Sequence, residues 1–322
     1  MKFDTKVKTI IGWLLAILIL AFLVRLFYIN RAELAAWQWN IDWTKAVISA
    51  FLLFLAYITA AIAWKTIISG FGHKVGLSDS FRIVYLANLG RYIPGKIWQV
   101  FGMVALAKEV GIPARTSLGS FVLAQAYSLP ASFLLIPIFI GNIDSLEQLA
   151  IYKDLFYLAF AISFIAFLIL FFKPGGLSGA LNWVLKILKR EPVDYKPNFK
   201  NRIAIFNWYL LTWTLFGFAF HFFLEALLDN STLPLNYAVG TYIAAYILGY
   251  ISFLSPGGLG FREGVMTALL TPFLGVGVAV SISLIHRVWI TCAEAIISLM
   301  ALWTYRFSSK KPANREEPEK PE

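Results

Sequence analysis

Residues 255–264 read Ser-Pro-Gly-Gly-Leu-Gly-Phe-Arg-Glu-Gly and break an apolar stretch that covers residues 237–273. Proline removes a backbone hydrogen bond from a helix and clashes with the preceding turn, whereas glycine allows backbone angles that other residues avoid. This stretch therefore cannot form one straight helix. A second break, Arg-Tyr-Ile-Pro-Gly-Lys at residues 91–96, interrupts the apolar stretch 80–107. The chain thus contains two long hydrophobic stretches that are each interrupted by Pro-Gly.

The rest of the chain is dominated by unbroken apolar blocks. Hydrophobic residues make up 59% of the sequence and charged residues 14%, whereas soluble domains contain about 45–50% and about 25%. Blocks of about 18 to 27 residues have the length that crosses a hydrocarbon core about 30 Å thick. The first block follows a basic leader like that of a signal peptide, but it is long for one and no convincing cleavage site follows. We predict six spanning helices, at residues 10–28, 46–64, 117–140, 155–172, 203–228 and 278–303.

Orientation follows from lysine and arginine, which are enriched in cytoplasmic loops. If the N-terminus is inside and the six spans alternate, the basic stretch 173–202 and the C-terminal tail face the cytoplasm. The outer face then holds few cations, namely Arg25, Arg31, Lys45 and Lys153. This alternation requires each broken stretch to return to the side from which it came. We therefore predict two re-entrant helical hairpins that enter from opposite faces, with both termini in the cytoplasm.

The predicted fold is an all-α, polytopic membrane protein with six spanning helices and two Pro/Gly-broken re-entrant hairpins. Broken segments in the two halves are typical of inverted-repeat transporters, whose substrate sites lie where the broken helices meet. The alternative is that both stretches are ordinary kinked helices that span the membrane. We expect one integral membrane domain over residues 1–307, with an amphipathic cytoplasmic helix within 174–202 or a plain linker there, and a disordered tail over 308–322.

Six charged side chains lie within or beside the apolar stretches, where each costs at least about 2.5–3.5 kcal/mol. They are Arg91, Lys96, Arg262, Glu263, Arg287 and Glu294. Four cations against two carboxylates leave an excess positive charge that an anionic substrate would balance. Phosphate fits this charge well, because arginine binds phosphate oxygens in a bidentate manner.

The backbone of the two breaks also suits an anion. Glycines permit close approach, and a helix that starts after a break offers free N–H groups and a positive dipole end. The predicted binding site therefore adds Tyr92, Pro94, Gly95, Pro256, Gly257 and Gly258 to the six charged residues. The competing hypothesis is structural. In it, Arg262 pairs with Glu263 or Glu294, and Arg91 extends to the membrane surface.

Several function classes find no support in the sequence. We find no G-x-S-x-G, H-E-x-x-H or Walker A pattern, so we do not expect an enzyme. Cys292 is the single cysteine, and no paired His/Cys spacing indicates a metal site or another cofactor. The net charge of +10 follows from the positive-inside distribution, so nucleic-acid binding is not expected.

Two stretches carry a resemblance to a known family. Residues 88–98, Asn-Leu-Gly-Arg-Tyr-Ile-Pro-Gly-Lys-Ile-Trp, and residues 255–264 resemble the signatures of the lysylphosphatidylglycerol synthase transmembrane, or flippase-like, family. The resemblance implies a membrane domain that moves lipids, notably aminoacylated phosphatidylglycerol. It also implies that a glycosyltransferase or lipid synthase is a candidate partner. The chain departs from the two-domain synthases of this family, because we recognise no soluble aminoacyltransferase domain in it. The resemblance therefore applies only to the membrane part of those proteins.

The first hypothesis is therefore a flippase-like transporter in the cell membrane that moves an anionic or phosphate-bearing lipid, a phospholipid or a polyprenyl-phosphate-linked lipid. Two alternatives stay open. One is a membrane-embedded transferase that acts on a lipid phosphate, with Glu263 or Glu294 as base. The other is a carrier for a small water-soluble anion. Because no ATP site is recognisable, transport would be passive or coupled to an ion gradient.

Overall fold

A computed structural model of the protein describes residues 28, 41–92, 97–140, 153–172, 174–187, 191–228, 233–251 and 260–308. Within residues 41–308, these ranges form α-helices joined by short connections and one 3-10 turn, Leu89–Tyr92, and they contain no strand. The prediction of an all-helical chain is therefore confirmed for the described part. The helices are α1 Trp43–Ser69, α2 Leu77–Asn88, α3 Ile97–Glu109, α4 Ala114–Ile140, α5 Lys153–Phe172, α6 Pro174–Ile187, α7 Phe199–Leu227, α8 Leu235–Ile251, α9 Phe261–Leu274 and α10 Val276–Ser308.

Four of the described helices are long and apolar enough to cross a membrane: α1, α4, α7 and α10. They contain most or all of the predicted spans 46–64, 117–140, 203–228 and 278–303. The predicted span 155–172 lies in α5, a helix of 20 residues. The predicted first span, 10–28, lies outside the described residues except for its last residue. The chain is thus a helical membrane protein, as its composition predicts.

Helices α1 and α7 pack side by side in opposite directions and define the two ends of the bundle. At one end the backbone N–H of Asp42 donates to the carbonyl of Ala226 at 3.0 Å. At the other end the backbone N–H of Lys196 donates to the carbonyl of Gly70 at 3.2 Å. We call these the Asp42 end and the Gly70 end. Asp42 also caps α1, because its side chain accepts hydrogen bonds from the first turn of that helix.

The first broken stretch forms two helices that lie next to each other. A Cβ on Gly102 of α3 would approach the Cα of Ala87 of α2 to 3.4 Å. Helices α2 and α3 therefore pack side by side, and they are not placed end to end as in a kinked helix. Ile68, near the Gly70 end of α1, shares an apolar cluster with Ile112, which follows α3. The α2/α3 pair therefore begins and finishes at the Gly70 end.

The second broken stretch repeats this arrangement from the other end. The Tyr237 hydroxyl of α8 donates to the carbonyl of Leu269 of α9 at 2.9 Å, and the Tyr237 ring contacts the Phe273 ring. Helix α8 follows the Asp42 end of α7, and α9 ends at Leu274, where Gly275 alone separates it from the start of α10. The α8/α9 pair therefore begins and finishes at the Asp42 end, opposite to the α2/α3 pair.

Helix α6 and the segment after it close the Gly70 end. Leu181 and Leu185 of α6 are buried, whereas Trp183 and Ile187 are exposed. The Asn182 side chain accepts a hydrogen bond from the backbone of Val193 at 2.9 Å. Within the predicted linker 174–202, residues 174–187 form helix α6, residues 191–198 are non-helical, and the residues from Phe199 onward belong to α7. The predicted disordered tail lies outside the described residues except for Ser308, the last residue of α10.

Candidate functional site

The structure describes six of the twelve predicted site residues: Arg91, Tyr92, Arg262, Glu263, Arg287 and Glu294. The other six, Pro94, Gly95, Lys96, Pro256, Gly257 and Gly258, lie outside the described residues. The described six come from three places in the chain. They belong to the 3-10 turn after α2, the first turn of α9, and the middle of α10.

Arg91 and Glu294 form an ion pair between the 3-10 turn and α10. The Tyr92 hydroxyl donates to the other oxygen of this carboxylate. The Tyr57 hydroxyl of α1 lies 3.5 Å from Glu294 Oε1. Three donors from two separate parts of the chain thus converge on one carboxylate. Arg91 points to this partner inside the bundle, so the alternative in which Arg91 extends to the membrane surface is not what the structure shows.

Arg262 lies in the first turn of α9 and points into a tyrosine face of α8. Its guanidinium carbon is 4.7 Å from the ring centre of Tyr246 and 5.2 Å from that of Tyr242. Gly249 makes this approach possible, since a Cβ there would lie only 2.8 Å from the Arg262 Cβ. Aromatic faces attract a desolvated cation by about 2 kcal/mol or more. The rings therefore hold the guanidinium without neutralising its charge.

The guanidinium of Arg262 keeps free hydrogen-bonding capacity. The residue is 5% exposed, and its Nη2 has no hydrogen-bond partner among the described residues. Neither Glu263 nor Glu294 forms an ion pair with it in the described part of the chain. A buried donor without a partner costs about 1–3 kcal/mol, and more when it is charged. A bound hydrogen-bond acceptor next to Nη2 of Arg262 would therefore be stabilising.

Glu263 instead supports the local structure of the second break. Its Oε2 accepts a hydrogen bond from the backbone N–H of Gly260 at 2.7 Å, which caps α9. Its Oε1 lies 3.5 Å from Nε of Arg287 on α10. Gly260 itself has a φ of +80°, a conformation that glycine adopts with little strain. The carboxylate that follows the break thus stabilises the sharp start of α9.

Tyr246 connects the two arginines that flank the breaks. Nη1 of Arg91 donates to the Tyr246 hydroxyl at 3.3 Å, while Arg262 lies against the ring of the same residue. Two of the three described arginines of the site have a carboxylate partner, and the third does not. The excess positive charge predicted from the sequence is therefore centred on Arg262 within the described residues.

A small cavity reaches the Arg91–Glu294 pair. Its wall includes Tyr57, Tyr85, Asn88, Tyr92 and both members of that pair. The carboxamide nitrogen of Gln99 donates to Oδ1 of Asn88, which joins the two sides of the first break. The cavity therefore lies at the first break, where it adjoins α1 and α10.

The sequence interpretation identified Tyr92 but missed the other tyrosines of the site. Tyr57, Tyr242 and Tyr246 all contact the charged groups. Tyr242, Tyr246 and Tyr250 follow one another at intervals of four residues, so they lie on one side of a helix. That spacing next to an arginine-bearing break is the signal that could have found two of them. Tyr57 lies in an ordinary apolar span and carries no such signal.

The comparisons with known proteins concern the membrane part of the chain. A family model described as "Lysylphosphatidylglycerol synthase TM region" matches residues 9–297. No curated protein and no solved structure gives a match. Among the described residues, no three His, Cys, Asp or Glu side chains come together in a way that could hold a metal ion. The matched region includes both breaks and every predicted site residue.

Proposed function

Because the chain belongs to the lysylphosphatidylglycerol synthase transmembrane-region family, we propose that it is a flippase-like lipid transporter. Its substrate is an anionic or phosphate-bearing lipid, either a phospholipid or a polyprenyl-phosphate-linked lipid. The head group passes through the polar site between the two breaks, while the hydrocarbon chains stay in the membrane. A polar site lowers the barrier because it replaces the water that a charged head group loses in hydrocarbon.

The observation that carries this proposal is the environment of the Arg262 side chain. Its guanidinium is buried, lies on two tyrosine faces and has an Nη2 without an acceptor among the described residues. Phosphate supplies several strong acceptor oxygens and the missing negative charge in one group. Its binding would relieve both the unpaired charge and the unsatisfied donor.

The proposed path depends on the two helix pairs. In this proposal the α2/α3 and α8/α9 pairs are re-entrant hairpins that enter from opposite faces and form an inverted repeat. Their placement at opposite ends of the bundle supports this, as does the contact of Arg91 and Arg262, which adjoin the two breaks, with the same Tyr246 side chain. Movement of either pair would open the site to one side, which is how inverted repeats alternate access.

A transferase that uses Glu263 or Glu294 as base is less well supported. Glu263 caps α9 and lies close to Arg287, and Glu294 accepts from Arg91 and Tyr92. A general base needs a free lone pair within reach of the proton that it abstracts. Both oxygens of Glu294 already accept from Arg91 and Tyr92. Glu263 Oε1 accepts no hydrogen bond among the described residues, but this side chain is held at the start of α9 by Gly260 and lies beside Arg287, which fits a structural or binding role better. We therefore propose that the protein is not an enzyme.

The surroundings of the transporter form part of the same proposal. We place it in the cell membrane with the Gly70 end and both termini in the cytoplasm. Its partners are membrane lipids with a phosphate, and a glycosyltransferase or lipid synthase that makes or consumes the transported lipid. We expect no cofactor and no nucleic acid.

Reconstitution into vesicles tests this function. The protein would be incorporated with labelled phosphatidic acid, phosphatidylglycerol or polyprenyl phosphate, and lipid movement would be measured by the loss of label to a reductant outside. A labelled glycosyl diacylglycerol with the same acyl chains, which lacks phosphate, is the control. We expect faster movement of at least one phosphate lipid than in protein-free vesicles, and no acceleration of the control lipid.

The same preparation separates the alternatives. Uptake of inorganic phosphate without any lipid movement would support a small-anion carrier. A new covalent lipid product, formed after addition of a donor, would support a transferase. Either result without movement of a phosphate lipid would contradict the proposed function.

A further inference from the structure

We infer that Arg91 is a second anion-binding subsite, and that Glu294 occupies this subsite in the structure in place of a substrate phosphate. This inference rests on the proposed function, because it concerns how the phosphate of the lipid is bound. In it, the phosphate displaces the carboxylate of Glu294 and bridges Arg91 and Arg262. The carboxylate therefore competes with the substrate.

The contacts of Glu294 resemble those of a bound anion. Its two oxygens accept from the guanidinium of Arg91, from the Tyr92 hydroxyl and, at a longer distance, from the Tyr57 hydroxyl. These donors come from the first break and from α1, whereas the carboxylate comes from α10. A phosphate presents at least as many acceptor oxygens to the same donors. The donors that hold the Glu294 carboxylate are therefore of the kind that would hold a phosphate.

The Arg91–Glu294 ion pair is more exposed than the Arg287–Glu263 ion pair of the same site. The Arg91 side chain is 23% exposed and borders the cavity at the first break, whereas the Arg287 side chain is 6% exposed. A lipid head group that approaches from the side of this cavity would thus reach Arg91 before Arg287.

The two carboxylates also differ in what holds them. Glu263 caps the backbone of its own helix through Gly260, so its removal would disturb the start of α9. Among the described residues, the hydrogen-bond and ion-pair partners of Glu294 are all side chains. Glu294 lies well inside α10, where the helix needs no cap. It can therefore leave Arg91 by a change of side-chain rotamer without unwinding a helix.

The position of Tyr246 explains why one phosphate can reach both arginines. Its hydroxyl accepts from Arg91 and its ring lies against Arg262. The two guanidinium groups are thus neighbours across a single aromatic side chain. Glu294 pairs with Arg91 and not with Arg262. An anion that bridges the two arginines would therefore also balance the positive charge of Arg262.

The test compares Glu294→Gln with the wild-type protein and with Glu263→Gln as the matched carboxylate control. Short-chain phosphatidic acid would be titrated into each purified protein in detergent, and the dissociation constant would be measured. We expect Glu294→Gln to bind at least about tenfold more tightly than the wild type, because the internal competitor is gone. Glu263→Gln should not bind more tightly, since Glu263 does not occupy the Arg91 subsite.

The conservative variant Glu294→Asp covers the case in which the glutamine variant is unstable. Its shorter side chain retains the charge but weakens the contact with Arg91, so we expect tighter binding than in the wild type, by a smaller factor. A purely structural role of the pair predicts instead that both variants bind the lipid equally or more weakly. That result would overturn the inference.

Failure of the inference can be told apart from failure of the proposed function. If wild-type protein binds and moves a phosphate lipid but neither Glu294 variant binds it more tightly, only the competition by Glu294 is wrong. If wild-type protein neither binds phosphatidic acid nor moves any phosphate lipid, the proposed function is wrong as well. Sedimentation or size-exclusion profiles of the variants would verify that they remain folded.

Discussion

The two breaks place an arginine close to the same tyrosine, but the two arginines have different surroundings. Arg91 at the first break is paired with Glu294 and borders a cavity. Arg262 at the second break is 5% exposed and lies on Tyr242 and Tyr246 with no carboxylate partner in the described chain. Similar sequence features, an arginine beside Pro-Gly, thus give one neutralised and one uncompensated cation.

This difference shows how a membrane protein can keep a buried arginine available for binding an anionic substrate. Ion pairing removes the cost of a buried cation but also occupies its donors. Aromatic faces lower that cost while the edge donors of the guanidinium remain available. If this distinction is correct, variants of Arg262 should affect transport more than variants that only loosen the tyrosine contacts.

The largest effect is expected from Arg262→Ala, which removes the uncompensated cation. We expect phosphate-lipid transport to fall by about a hundredfold or more, in line with the loss of a buried charge-assisted contact. Arg262→Lys should retain weak transport, because lysine keeps the charge but loses the planar two-pronged donor geometry. The vesicle assay described above measures both variants.

Double variants separate binding from a structural role of Arg262. If Arg262 only neutralised a carboxylate, Arg262→Ala combined with Glu263→Gln or Glu294→Gln would restore transport, since no unpaired charge would remain. We expect no restoration. Full transport by either double variant would leave Arg262 with a folding role alone.

A smaller effect is expected from Gly249→Ala, which tests the close contact between α8 and Arg262. A Cβ at this position would lie 2.8 Å from the Arg262 Cβ and 3.2 Å from its Cα. Such overpacking costs about 1–3 kcal/mol and would move the guanidinium, so we expect about a tenfold loss of transport. Gly264→Ala is the matched control on α9, because no atom of the described residues outside the nearby helix backbone lies within 4 Å of its added Cβ. Equal activity of the two variants would show that the position of Arg262 is not critical.

The smallest effect is expected from the removal of single tyrosine hydroxyls. Tyr246→Phe removes the acceptor for Arg91 but keeps the ring against Arg262, so we expect about a threefold loss, the size of one hydrogen bond in a membrane. Tyr242→Phe should not reduce transport, because the Tyr242 hydroxyl is buried without a hydrogen-bond partner in the described residues. Melting curves should show Tyr242→Phe to be at least as stable as wild type. A larger loss for Tyr242→Phe than for Tyr246→Phe would contradict the assigned contacts.

Much of the fold was predictable from the sequence, because the bilayer imposes simple rules on length and composition. Apolar blocks of sufficient length must be helices, since backbone groups in hydrocarbon need internal hydrogen bonds. The Pro-Gly breaks likewise predicted helix boundaries, and α9 begins at Phe261, just after the second break. The five described charged residues around the two breaks were also predictable as a group, because charge is rare and costly in such blocks.

The tertiary structure alone decided which charges meet. The sequence left Arg262 with Glu263 or Glu294 as partner, but Glu263 lies beside Arg287 and caps α9, and Glu294 pairs with Arg91. The Arg91 and Glu294 positions are far apart in the chain, and no local spacing rule connects them. Their contact depends on how the α2/α3 pair packs against α10. Likewise, the contact of Arg262 with the rings of Tyr242 and Tyr246 depends on the close approach of α9 to Gly249. Local sequence fixes where a helix must stop, whereas the partner of a buried charge is set by long-range packing.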